Sequence, residues 1–258
     1  MSGWGKSYHG QAILEAAISA FVSTVILDYK DEYRGLVKAG LLDFFIVGPD
    51  EAAWSVNDWR LFLQSNPTVV LARYQLGSEA WREVSAKVIE AARGHAGPGY
   101  PTLIAVDEAH VVAPERGKVP EATKNLATTG RGEGASSLWM DQRASALSKD
   151  VLTQADETII GGFKESTDRN ALSVEYPVDV HNPTLSEVGG LDSFPDLLPE
   201  SDEPLPLRRF EDDDGSTVGS EWIYANDTGD VERRSTRDMQ METTHYAPEG
   251  FDIPDPVY

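Results

Sequence analysis

TLIAVDEAH, residues 102–110, is an apolar run that ends abruptly in two carboxylates, Asp107 and Glu108. A strand that is apolar at consecutive positions is buried on both faces, as in a parallel sheet covered by helices. Similar runs lie on either side of it: STVILD (23–28), LLDFFIVG (41–48), PTVVLARY (67–74), ASSLWMDQ (135–142) and ETIIGGF (157–163). Helix-periodic segments separate them. KSYHGQAILEAAISAFV (6–22) carries Ile13, Leu14, Ala17, Ile18 and Phe21 at helical spacing, and SEAWREVSAKVIEAARGH (78–95) carries Trp81, Val84, Val88, Ile89 and Ala92. The alternation predicts an α/β fold, a doubly wound and mainly parallel sheet with crossover helices. Ligands of such sheets gather at the carboxyl ends of the strands. Lys6, Asp28, Asp107 and Gln142 all fall there.

The first residues supply a partner for that acidic strand end. Ser2-Gly3-Trp4-Gly5-Lys6-Ser7 reads as the back half of the phosphate-binding motif G-x-x-x-x-G-K-[ST], whose first Gly would lie one position before Met1. In such a loop the backbone N–H groups cradle phosphates, the Lys6 ammonium reaches the β/γ oxygens, and the Ser7 hydroxyl holds Mg2+. Gly3 and Gly5 allow the tight backbone, and the following helix adds its positive dipole end. Asp107 then positions the water shell of Mg2+, and Glu108 polarises the attacking water. A chance GKS, or an acidic strand end that caps the next turn, is the alternative for either motif alone. Jointly they predict ATP and Mg2+ as ligands. The strand that should precede the loop is missing, which would leave a sheet edge unpaired. A mis-assigned start codon or a truncated reading frame explains this more simply than a working half-loop.

Composition bounds the rest. With 258 residues, 40% of them hydrophobic, the chain can bury a full core, and one domain with a tail is expected. There are 43 acidic against 22 basic residues, a net charge of −21, and the basic set is 8 Lys and 14 Arg. Self-repulsion on that scale is tolerable where salt shortens the Debye length to about 3 Å, so a halophilic, salt-adapted cytoplasm is expected; an ordinary acidic protein is the alternative. Zero Cys excludes disulfides, thiolate metal sites and a Cys nucleophile. No apolar run reaches the roughly 18 residues of a membrane span, and no signal pattern opens the chain, which predicts a cytoplasmic protein with no membrane partner. Residues 196–258 hold 17 acidic and 5 basic residues. The expected division is therefore a core over 1–195 and an acidic extension over 196–258, with a hairpin near 220–237 and Pro-rich, acidic flanks that read as loop.

Two longer stretches sharpen this reading. VILDYKDEYRGL (25–36) and TTGRGEGASSLWMDQRASALSKDVLTQADETIIGGF (128–163) resemble the HerA/FtsK group of P-loop ATPases. The resemblance runs from Ser2 to about Tyr176. It implies a RecA-like core and an ATP-hydrolysing motor, assembled as a homo-oligomeric ring, a hexamer, that moves double-stranded DNA without sequence specificity. Gln142 matches the strand-end sensor of the γ-phosphate or attacking water. Arg131 matches an arginine finger that acts on the neighbouring subunit's ATP, with Arg143 as the rival. Glu32 either orients Lys30, contacts a neighbour or fills a salt bridge. APERGKVPEATK (113–124) is a candidate pore loop or a solvated linker. The β-barrel of HerA proteins and the membrane and DNA-orienting domains of FtsK proteins have no counterpart here. A compact core of this kind resembles viral genome-packaging ATPases, virion-associated with a capsid partner, alongside cellular translocases that work with a nuclease. A P-loop regulatory module and an inactive remnant are the alternatives from other classes.

Overall fold

Five of the apolar runs form one parallel sheet. Strands β1 (Ser23–Asp28), β2 (Asp43–Val47), β3 (Thr68–Arg73), β4 (Thr102–Val106) and β5 (Ala135–Trp139) lie in the order β2-β3-β1-β4-β5. The structure is a computed structural model that describes residues 4–246; Gly3 and the acidic tail 247–258 lie outside the described residues. Both β1 and β4 are buried at every position, which is why neither shows an in–out alternation in sequence.

Helices cover both faces. On one, Ile26, Val70, Leu103 and Ala105 pack with Leu14 of α1 (Lys6–Ala17) and Leu36 of α2 (Arg34–Lys38). Residues one step along each strand, among them Leu27, Leu71 and Val106, point to the other face. After α3 (Pro49–Ala52) and α4 (Val56–Ser65), helix α5 (Ser78–Arg93) packs against α4 and β4. It buries Trp81, Val84, Val88, Ile89 and Ala92, the residues its periodicity singles out. Helices α6 (Ala109–Val112) and α7 (Glu121–Glu133) follow β4. Helix α1 comes close to the strand ends at Gly10. A Cβ there would overlap the Met140 sulfur and sit 3.2 Å from the Tyr33 hydroxyl, which itself lies 3.1 Å from that sulfur.

Contacts divide the chain into two units. The parallel-sheet unit comprises Ser7–Asp141, Leu147–Val151 and the chain from Met241 onward. Its last described stretch returns to α1: Glu15 accepts the N–H groups of Glu242 and Thr243, at 2.7 and 2.8 Å. Gln11, fully buried, donates to the Thr243 hydroxyl at 2.8 Å and the Thr244 carbonyl at 3.2 Å.

The second unit comprises the chain through Lys6, Gln142–Ala146 and Leu152–Gln240, and holds an antiparallel sheet. Sequence alternation makes ETIIGGF one more strand of the parallel series; the structure places it here instead. Strand β6 (Glu157–Ile160) pairs antiparallel with β8 (Thr217–Asn226), as do β7 (Arg209–Glu211) and β9 (Val231–Ser235). The strand is four residues long and only partly buried, too short a signal to name the sheet it joins.

The core of this unit gathers Trp4, Tyr176, Val180, Leu191, Leu207, Trp222 and Ile223. Trp4 is held along its length. Its indole N–H donates to the Glu221 carbonyl at 3.1 Å, and its own carbonyl accepts the Ser220 hydroxyl at 2.8 Å. The ring lies where a Cβ of Gly161 or Gly162 would be, so only glycine fits at either position. Deeper in, His181 places Nδ1 2.9 Å from the Gly161 carbonyl and Nε2 3.0 Å from the Tyr176 hydroxyl. That geometry takes the neutral tautomer, Nδ1–H donating and Nε2 accepting. Among the described residues no helix is long and apolar enough to cross a membrane.

Burial lowers the His181 pKa to about 4 from an ordinary 6.5. The unfolded chain therefore takes up a proton that the folded unit refuses. The corresponding stability is present above pH 6.5 and is lost as pH falls through 4. We expect the antiparallel unit of the native protein to lose protection from hydrogen exchange across that window. His181→Gln should be weaker at pH 7 by about 1–3 kcal/mol, the range for a buried partner left unsatisfied, yet flatter between pH 6.5 and 4. An equally steep loss in His181→Gln would assign the titration to another group.

Candidate functional site

Register brings the first two carboxylates together. β1 and β4 are parallel neighbours with Leu27 opposite Val106, so the next residues along, Asp28 and Asp107, emerge side by side. Both alternate with Ile26 and Ala105 and therefore lie on the α1 face of the sheet. Both are fully buried. Asp28 ties down the segment that follows it, accepting the N–H of Glu32 at 3.1 Å and that of Tyr33 at 3.0 Å. Burial, then the Asp107 charge, raise the Asp28 pKa to about 8, so at neutral pH Asp28 holds a proton. The same surroundings push the Tyr33 phenol up.

The tethered segment sends Lys30 and Glu32 to different partners, while Asp31 pairs with Arg34. Glu32 accepts the hydroxyl of Ser7, the second residue of α1. Lys30 places its Nζ 2.8 Å from Glu108 Oε1. Glu32 thus meets the Ser7 hydroxyl, and Lys30 the acid after β4.

Glu108 itself has φ +46° and ψ +53°, a left-handed conformation at a residue with a Cβ, which costs about 1–2 kcal/mol. Its carbonyl accepts the Val111 N–H at 2.8 Å, and the next residue, Ala109, donates its N–H to the Met140 carbonyl at 3.0 Å. The turn thus swings the Glu108 side chain off the strand axis toward Lys30. His110 stands on its far side, with Nδ1 3.7 Å from Glu108 Oε2 and 2.9 Å from Asp141 Oδ2. Asp141 also accepts the His110 backbone N–H.

The structure therefore links Ser7, Asp107 and Glu108 in one unit, through Glu32, Asp28 and Lys30. The other sequence-derived residues stand as follows. Gly3 is outside the described residues. Gly5, with φ +78°, and Lys6 belong to the antiparallel unit, as do Gln142 and Arg143. Arg131 is exposed in the last turn of α7, where its carbonyl accepts the Gly134 N–H at 3.1 Å. His110 and Asp141 are additions that sequence reasoning missed, and Lys30, named there only as a partner of Glu32, pairs with Glu108. Their only local signals are the charge-dense DYKDE (28–32) and the Asp that precedes Gln142.

Solved structures with this fold exist. The chain is similar to the genome packaging NTPase B204 of Sulfolobus turreted icosahedral virus 2 in complex with ATP-gammaS, at 16% identity and a TM-score of 0.55, over 90% of this chain and 92% of that one. It is also similar to the same NTPase in complex with sulfate, at 17% identity and a TM-score of 0.54 over the same shares. At that identity the likeness is one of fold alone, an α/β architecture with a mainly parallel central sheet. No family profile and no curated protein matches the sequence.

The Asp28 proton makes a prediction whose sign is opposite to that for His181. A carboxyl whose pKa is raised on folding binds a proton that the unfolded chain releases near pH 3.8, so its contribution is fully present below that value and is lost as pH rises through 8. Asp28→Asn keeps an acceptor for one of the two N–H groups and cannot ionise. Denaturant titrations at fixed high salt should show wild-type stability falling between pH 4 and 8, and a flatter profile for Asp28→Asn. Parallel profiles would mean that the buried pair does not hold the proton on Asp28.

Proposed function

We propose that this chain is a Mg2+-dependent ATPase of the HerA/FtsK type, working as a homo-oligomeric ring that moves double-stranded DNA. The observation that carries the reading is the end of β4, where Asp107 is buried and Glu108 is turned into a left-handed conformation and held by Lys30. That arrangement aims a carboxylate away from its strand, as a general base for water requires. The fold likeness to a genome packaging NTPase in complex with an ATP analogue supports both nucleotide and cargo.

The donor chemistry suits the metal. Ser7 and Asp107 are hard oxygen ligands, and no group of three or more His, Asp or Glu able to hold a metal is assembled among the described residues. Mg2+ that arrives on a nucleotide keeps several waters and needs only one or two protein oxygens. When bound it would neutralise charge on the β/γ-phosphates. The chain's own residues do the rest. Gly3, Gly5 and Lys6 cradle and contact phosphate, and Ser7 offers its hydroxyl once Glu32 releases it. Asp107 would orient the metal's water shell. Glu108 takes the proton of the attacking water, Gln142 positions that water, and Arg131 stabilises transition-state charge in the neighbouring subunit. Lys30 holds Glu108 by charge.

Two experiments test this. In high salt with Mg2+, Lys6→Ala should abolish ATP binding, whereas Glu108→Gln should bind ATP and hydrolyse it roughly 10²-fold more slowly, the scale of general-base loss. Equal nucleotide affinity in Lys6→Ala and wild type removes the phosphate-loop assignment. For the ring, Arg131→Ala subunits mixed with Glu108→Gln subunits should regain part of the duplex-DNA-stimulated turnover, since some interfaces then combine an intact finger with an intact base. A mixture that assembles yet stays as inactive as either parent places Arg131 outside the trans role.

A further inference from the structure

Residues 241–246, the last described stretch of the chain, touch both α1 and α2, all within the parallel-sheet unit. On the α1 side they supply every partner of the Gln11 amide. Its Nε2 donates to the Thr243 hydroxyl and the Thr244 carbonyl, and its Oε1 lies 3.0 Å from His245 Nδ1, which therefore donates. Glu15 takes the Glu242 and Thr243 N–H groups, and the Tyr8 ring meets the His245 ring edge-on at 5.9 Å. On the α2 side the Thr244 carbonyl occupies the place where a Cβ of Gly35 would lie, and Lys38 Nζ stands 4.9 Å from the centre of the Tyr246 ring. Burying an amide is costly unless it is hydrogen-bonded. Gln11 is fully buried, so its side chain is built for this strap.

Spacing ties the strap to the candidate site. Ser7, Gln11 and Glu15 recur at four-residue intervals, which puts them on one stripe of α1. That stripe meets Glu32 at Ser7 and the strap at Gln11 and Glu15. Gly35, where the strap rests on α2, comes three residues after Glu32. The strap thus fixes α1 against α2 along the same line that holds the Ser7 hydroxyl on Glu32. We propose that residues 241–246 are a regulatory latch that, while seated, keeps Ser7 on Glu32 and away from the metal of an incoming nucleotide. The inference rests on the phosphate-loop reading above and adds a control over it. A seated strap and a metal-bound Ser7 oppose each other, so each weakens the other by the same factor. A partner that captures the strap thereby acts as an activator.

Hydrogen exchange and equilibrium ATP binding on the full chain, in high salt, test the latch. Gly35→Ala adds the methyl that meets the Thr244 carbonyl and should unseat the strap, although alanine suits a helix better than glycine. Glu15→Gln leaves one acceptor oxygen for two N–H groups and loosens the strap from the α1 side without a steric conflict. In both variants the Glu242 and Thr243 amides should exchange faster. Both should bind ATP with Mg2+ about 5-fold or more tightly, the lower end of such couplings. With EDTA in place of Mg2+ their ATP affinity should equal that of wild type, because Ser7 then has no metal to reach. In wild type, a comparison that needs no variant, ATP with Mg2+ should speed exchange of the same two amides. An ATP affinity in Mg2+ that is unchanged or lower with the strap loosened overturns the latch and leaves the phosphate loop intact. So does strap exchange in wild type that is indifferent to ATP with Mg2+. Exchange at 242 and 243 that neither variant raises overturns it as well, since the strap is then not held by these contacts. Absence of ATP binding with and without Mg2+ overturns the phosphate-loop reading and the latch with it.

Discussion

Two aspartates forced side by side in the dry interior set the terms for the rest of the site. Parallel pairing of β1 with β4 leaves no freedom about where Asp28 and Asp107 emerge. Two ionised carboxylates there would repel across a low-dielectric gap. The structure resolves the conflict by protonating Asp28 and giving it two backbone N–H groups. The loop after β1 is therefore pinned by the same residue that yields its charge. Because the loop is pinned, Lys30 and Glu32 are delivered to fixed places, one to Glu108 and one to Ser7.

The site is also economical with positive charge in a protein that has little of it. The chain carries a net charge of −21, and five carboxylates, Asp28, Glu32, Asp107, Glu108 and Asp141, occur at or just after three neighbouring strand ends. Four of them meet different partners: Asp28 a proton, Glu32 a hydroxyl, Glu108 a lysine and Asp141 a histidine. Glu221 in the antiparallel unit follows a different rule. It is clamped by Arg208 and Arg233, and these hydrogen bonds keep its pKa low although burial alone would raise it. Glu221 thereby ties β8 to Arg208 and to Arg233 of β9.

Much of the parallel sheet was legible in the sequence because burial on both faces writes an unbroken apolar run, as in β1 and β4, and because α5 shows its buried side at helical spacing. The acid pair at 107–108 was legible for the same reason, being the point at which such a run stops. β6 was misplaced because four residues of mixed burial look alike in either sheet. Partner assignments in the site were the least legible. Lys30 and Glu32 are two residues apart, and nothing in their order tells which goes to Glu108 and which to Ser7; the Asp28 clamp on the backbone decides it. Trp4 reads in sequence as a variable position of a phosphate loop. Its anchoring depends on Gly161 and Gly162, more than 150 residues away.

Each unit is closed by bonds between opposite ends of the chain, and this bears on how the protein comes to be folded. Trp4 meets Glu221 across 217 positions, and Gln11 meets Thr243 across 232. Neither unit can be completed by a growing chain until Glu221 and Thr243, respectively, have been synthesised. Contact order of this kind slows folding, because the entropy of closing a long loop is lost before the contacts that reward it form. On the ribosome the half-made parallel sheet would wait, with the α1 surface around Gln11 and Glu15 uncovered, for the residues around 242–245 to arrive. Without the segment around 242–245, Gln11 loses the Thr243 hydroxyl and Thr244 carbonyl that it donates to, and its amide meets water instead.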